Sequence, residues 1–166
     1  MVNPDMLLGV EGTKVILGLS PQVPSTSRSD IINMRNYNRC LIIIPCKNGI
    51  GAAAGAITLT QSKDVSNTGG KALGFTQAWQ CLNAGAGGNS DSLSNVAVAG
   101  NSFQPDNTAS VDQLYVLEVN ETDLDVNNSF NCVTVAMATS TNVTASVIFV
   151  LYPAKYGKAT PPSGII

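Results

Sequence analysis

Asn36-Tyr37-Asn38-Arg39 leads into Cys40-Leu41-Ile42-Ile43-Ile44, and reading this stretch decides the fold. Three successive isoleucines lose rotamer freedom in a helix but pack well on a pleated sheet. The segment is therefore a central strand, closed by Pro45 and by the turn Lys47-Asn48-Gly49. The same density returns late in the chain, in Ala145-Ser146-Val147-Ile148-Phe149-Val150-Leu151. That run is typical of a strand buried on both sides, and Pro153 is its expected stop.

Between these two anchors the chain keeps a strand rhythm. Ala56-Ile57-Thr58-Leu59-Thr60-Gln61 alternates with period two, so Ile57 and Leu59 face inward and Thr58 and Thr60 outward. Asn67-Thr68-Gly69-Gly70 is a turn. Leu73 to Leu82 carries Phe75 and Trp79, and reads as strand because Gly74 and Thr76 supply no helix drive. Leu93–Ala99, Leu114–Val119, Phe130–Ala138 and Thr144–Tyr152 complete the set. Glu121 to Asn128 favours turns and a helical cap, while Gly85–Asp91 and Gly100–Ser110 read as flexible.

Six to eight strands with Gly/Asn turns, and no amphipathic helix, predict an all-β antiparallel β-sandwich or jelly roll. Three regions are expected. Met1–Asp30, punctuated by Pro4, Gly9, Gly12, Gly18, Pro21 and Pro24, is an extended N-terminal arm with room for a short strand at Lys14–Leu19. Residues 31–156 form the sandwich body, and residues 157–166, with Pro161-Pro162, a flexible C-terminal tail. Removing Met1–Asp30 is expected to leave the body folded.

A chain of 166 residues suits one domain, burying about 69% of its extended surface on folding. Charged residues make up 12% of it, against about 25% in typical domains. Its polarity comes from Asn, Thr, Ser and Gln, which hydrogen-bond to neighbouring surfaces without the desolvation cost of a charge. The apolar stretches fall short of the ~20 residues of a membrane span. Met1 to Lys71 holds seven basic and four acidic residues, whereas Ala72 to Ala154 holds seven acids and no Lys or Arg. Such polarity favours self-association or docking on an oppositely charged lattice. With no basic stripe, nucleic acid is not an expected partner.

Chemistry has little to work with. Histidine, the usual acid or base near neutral pH, is absent. Cys40, Cys46, Cys81 and Cys132 match no zinc spacing and read as small buried hydrophobes. Glu121, Asp123 and Asp125 could face one Ca²⁺, but the spacing lacks the EF-hand Gly and terminal Glu, and a solvated turn is expected. Gly49-Ile50-Gly51-Ala52-Ala53-Ala54-Gly55 follows a strand, as a dinucleotide loop does, yet its Gly spacing is wrong and a strand pattern comes after it. A carboxylate pair drawn from Glu118, Glu121, Asp123 and Asp125 lacks the aromatics of a sugar cleft, and Trp79 is assigned to the core. No secretory signal is read at Met1, so the sequons at Asn120, Asn127 and Asn142 are taken as chance. No catalytic, cofactor or metal residue is assigned, no cofactor is expected, and the protein is expected not to be an enzyme.

Tyr37-Asn38-Arg39-Cys40-Leu41-Ile42-Ile43-Ile44 and Gly55-Ala56-Ile57-Thr58-Leu59-Thr60-Gln61-Ser62-Lys63-Asp64-Val65 resemble a group of small structural proteins of tailed bacteriophages. The resemblance continues through Val119-Asn120-Glu121-Thr122-Asp123-Leu124-Asp125-Val126-Asn127-Asn128-Ser129-Phe130-Asn131-Cys132-Val133 and reaches Leu151-Tyr152 and Lys155-Tyr156. Some such proteins resemble head decoration, or cement, proteins, which sit as trimers on the outer capsid surface. The resemblance implies a virion protein on the outside of the head, a homotrimer that bridges the major capsid protein lattice. A tail or baseplate component and a β-sandwich glycan- or receptor-binding module are the alternatives; in the latter, Trp79 and the acidic loop would touch the ligand.

Overall fold

The computed structural model describes residues 12–25, 28–85, 92–107, 111–155 and 164–165. Among them the strands are β1 (Lys14–Gln22), β2 (Ile32–Asn33), β3 (Tyr37–Ala53), β4 (Ile57–Ser62), β5 (Lys71–Ala72), β6 (Gln77–Leu82), β7 (Ser94–Ala97), β8 (Ser102–Phe103), β9 (Asp112–Asn120), β10 (Cys132–Met137) and β11 (Thr141–Ala154). Every pairing is antiparallel. One sheet has the order β1-β11-β3-β9-β6-β7; the other has β2-β10-β4-β5, with β8 also paired to β4. The fold is an all-β sandwich, as the strand rhythm predicts.

The core lies between the sheets. Ile42 and Ile44 of β3, Tyr115 and Leu117 of β9, and Phe149 and Leu151 of β11 meet Ile57 and Leu59 of β4 and Val133 and Val135 of β10. Ile57 and Leu59 are buried, with Thr58 and Thr60 half-buried between them, so the period-two reading holds. Both anchor strands are interior to the six-stranded sheet, but they run further than their prolines suggest. Pairing of β3 with β9 is unbroken through Pro45, while pairing with β11 passes from Ile43 to Cys46. The missing proline N–H falls where a ladder bond is skipped, so Pro45 does not stop the strand. Pro153 likewise lies inside β11.

Described parts of the expected arm and tail pack against the body. Residues 1–11 of the expected arm lie outside the described residues, but Lys14–Gln22 is an edge strand of the body's own sheet, paired to β11. It places Ile16 and Leu19 in the core, and an edge position tolerates Pro21. Residues 28–30 are tied in as well: Ser29 N–H donates to the Val135 carbonyl at 2.8 Å, and Val135 N–H donates to Ser29 Oγ at 3.0 Å. Of the tail, 157–163 and 166 lie outside the described residues, yet Gly164 is buried and its carbonyl accepts from Asn33 N–H at 2.7 Å. A Cβ there would stand 2.6 Å from Leu151 Cδ1 and 2.9 Å from Ile16 Cδ1, so any larger residue would have to displace these methyl groups.

The stretch Gly100–Ser110 contains β8 and a buried polar network. Tyr115 Oη donates to Gln113 Oε1 at 2.5 Å and accepts from Asp106 N–H at 2.9 Å, and its ring meets Phe103 edge-on at 5.2 Å. These bonds hold residues 103–106 against the sheet. Residues 108–110, and 86–91 of the other expected loop, lie outside the described residues.

Candidate functional site

The two sheets differ on their outer faces. Cross-strand partners point to the same side of a sheet, so register assigns each face. On the smaller sheet the outward set is Thr58, Thr60, Ser62, Cys132, Thr134 and Ala136, which is mostly hydroxyl and small. On the larger sheet it is mainly apolar, with Glu118 in the row of Leu41. One row crosses five strands: Leu17 opposite Ile148, Ile148 opposite Ile43, Ile43 opposite Val116, and Val116 opposite Trp79. Val15, Val150 and Leu41 form a second row, and Pro45, Leu114 and Cys81 a third.

Most of these side chains are half-buried by one another, because a flat sheet shields its own middle. At the β1 edge the shielding ends, and Val15 and Leu17 are 47% and 55% exposed. Ion pairs bound the apolar rows at each end. Arg39 meets Glu118 at 3.2 Å, and Lys47 meets Asp112 at 3.2 Å. An apolar centre with a charged rim is the layout of protein interfaces, and a contiguous exposed apolar patch of this kind marks an interaction site.

Trp79, assigned to the core from sequence, is half-buried on this outer face. Its register partner Val116 is the signal that sequence could not supply, since pairing of β6 with β9 sets which side Trp79 takes. Beside it a hollow of about 260 Å³ is lined by Gly74, Phe75, Trp79, Glu118 and Asp123. Two of the sequence's acidic candidates therefore meet Trp79 here, but both are engaged. Glu118 holds Arg39, and Asp123 Oδ2 accepts from Asn120 N–H at 2.8 Å.

The other candidates are dispersed. Glu121 pairs with Lys155, and Asp125 with Lys71 and Asn128. The Lys71 ammonium, then the Asn128 amide, hold the Asp125 carboxyl below its ordinary value. Among the described residues no three His, Cys, Asp or Glu side chains are grouped to hold a metal. The glycine-rich stretch from Gly49 continues β3 to Ala53, with no turn at Lys47-Asn48-Gly49, and no helix follows it. All four cysteines are free and buried, as their reading as small hydrophobes requires. Burial pushes the Cys46 thiol up to about 12 and the Cys132 thiol up to about 11. Among the described residues no helix is long and apolar enough to cross a membrane.

No protein-family model matches the chain, and no curated protein matches it. Among solved structures it is similar to the SPBc2 prophage-derived protein YomS, at 10% identity and a TM-score of 0.48, over 88% of this chain and 97% of that one. It is also similar to a chain in the structure of infectious bursal disease virus, Gx strain, at 10% identity and a TM-score of 0.34. That match covers 96% of this chain and 39% of the virus chain. At such identities and scores neither likeness carries a functional assignment.

Proposed function

We propose that the protein is a structural component of a bacteriophage particle, which decorates and cements the outer surface of the head by bridging major capsid subunits. The observation that carries this reading is the outer face of the six-stranded sheet. An apolar row across five strands, flanked by two rows of three and by ion pairs, suits a protein that works by being covered by protein. The residue patterns of Tyr37–Ile44, Gly55–Val65 and Val119–Val133 supply the virion context, through their resemblance to small phage structural proteins. The low charge of the chain fits repeated contacts on a symmetric shell, where each buried charge would cost desolvation.

Immunogold labelling of intact particles from the source culture tests the location. Regular labelling over the head is expected. Gold confined to the tail would move the protein to a tail or baseplate role, and its absence from disrupted as well as intact particles would overturn the virion reading. The hollow beside Trp79 supports one second reading, a glycan- or receptor-binding module, because it joins an aromatic face to polar side chains. Glycan-array binding lost on Trp79→Ala would favour it, and silence across sugars would remove it.

A further inference from the structure

We infer that the outer face of the six-stranded sheet is covered by the same face of a second copy, about a two-fold axis that runs parallel to the strands between β3 and β9. This deepens the reading of that face as an assembly surface, and rests on it. The strand order β1-β11-β3-β9-β6-β7 has its midpoint at that axis. Rotation about it lays β3 on β9 of the second copy, β11 on β6 and β1 on β7. Ile43 then faces Val116 of the second copy, and Ile148 faces Trp79.

Charge selects this axis over the other in-plane choice. The outward side of β3 carries Arg39 and Lys47 at opposite ends; on β9, Asp112 stands in register with Lys47, while Glu118 stands opposite Leu41, one row in from Arg39. An axis parallel to the strands sets Lys47 against Asp112 of the second copy, a contact made twice, with Arg39 against Asn120 and one row from Glu118. An axis across the strands would lay β3 on β3, placing Arg39 against Lys47, and would take Asp112 away from Lys47. Like charges in contact disfavour that arrangement. The face also fits a two-fold better than the trimer implied by the resemblance, because three flat sheets cannot lie pairwise upon one another.

The area is sufficient. Six strands about 4.8 Å apart, with rows about 6.7 Å apart, give roughly 950 Å² for the five rows of the face, of which the apolar positions take roughly 350 Å². A standard interface buries about 800 Å² per partner.

Sedimentation equilibrium of the full chain, with the emission of Trp79 followed on dilution, tests the pairing. Trp79 is the single tryptophan, so its spectrum reports cover on this face. The expected result is a two-chain mass at micromolar concentration, falling to one chain on dilution with a red shift. I43K and V116E should each sediment as one chain with the far-UV spectrum of the wild type, and their equal mixture should regain the two-chain mass. Should either fail to fold, K47E and D112K change exposed residues and make the same test by charge alone. A one-chain mass at the highest soluble concentration, a three-chain mass, or a two-chain mass indifferent to all four variants would overturn the pairing. If a one-chain protein still labels phage heads, and I43K abolishes that labelling, the face docks on the shell and the proposed function survives. If it labels no particle, both fail.

Discussion

Gly18→Ala tests the packing of the edge strand that sequence alone set apart as an arm. A Cβ at Gly18 would stand 2.2 Å from Phe149 Cε2 and 2.6 Å from Cδ2. Carbon atoms in comfortable contact lie about 3.5–4.0 Å apart, so the ring would have to retreat by more than about 1 Å. Phe149 has nowhere to go, because it is fully buried between the sheets. Overpacking of this kind costs about 1–3 kcal/mol. The φ of Gly18 is not positive, so the backbone accepts alanine, and the lost freedom of the unfolded chain returns about 0.4–1 kcal/mol. The net loss should be about 1–2 kcal/mol, or a fall in Tm of about 2–8 °C for a chain of this size. Urea denaturation should show a lower midpoint with an unchanged m value. In a Phe149→Leu background the same substitution should be neutral or stabilising, because the obstructing ring is gone. Stabilisation by Gly18→Ala in the wild-type background would refute the placement of the ring over the glycine.

Tyr115→Phe should cost about 1–3 kcal/mol in denaturant, because it strips partners from buried Gln113 and from the Asp106 N–H. Removing Met1–Asp30 should abolish cooperative unfolding of the remainder or sharply lower its midpoint, since Ile16 and Leu19 alone contribute about 3–6 kcal/mol of burial; an unchanged midpoint would return the segment to the status of an arm. The Asp125 carboxyl is held below its ordinary 3.8 by Lys71 and Asn128, so its contribution is present above that value and is lost as pH falls through the lowered one. Asp125→Asn should therefore be less stable than wild type at neutral pH, the two converging in acid, as thermal melts across the range would show. All four thiols, buried and free, should stay silent to a disulfide reagent at mildly alkaline pH and react once the chain is unfolded in urea.

The class of fold was legible because it depends on local pattern. Ile57 and Leu59 alternate with threonines, and Ile42 to Ile44 admit no helix, so strand content follows from residues a few positions apart. The boundaries were not legible. Gly and Pro between Gly12 and Pro24 look like breaks when read along the chain, yet an edge strand with register shifts at Leu17–Leu19 and Leu19–Gln22 absorbs them. Pro45 was read as a stop for the same reason, although its tolerance depends on what lies across from it in β11. Trp79 was misplaced because facing is a property of pairing: one residue of slip between β6 and β9 would have sent it inward. The acidic cluster from Glu121 to Asp125 reads as a patch in sequence, but Lys155, Asn120 and Lys71 take its members one by one.

The continuous apolar runs carry a further consequence. A strand whose every residue is apolar needs cover on both sides of its sheet, and Leu41, Ile43, Ile148 and Val150 are as hydrophobic as the Ile42, Ile44, Phe149 and Leu151 between them. Folding provides that cover on one side, through the smaller sheet, whose own outward Ser62, Cys132 and Thr134 are themselves buried. On the larger sheet the outward Val15 and Leu17 stay exposed. Charge enters that face at Arg39, Lys47 and Asp112 toward its ends and at Glu118 in the row of Leu41. The larger sheet's outer face thus keeps an apolar centre where an interface would have its core, and the register of Lys47 with Asp112 is what would orient a second copy upon it.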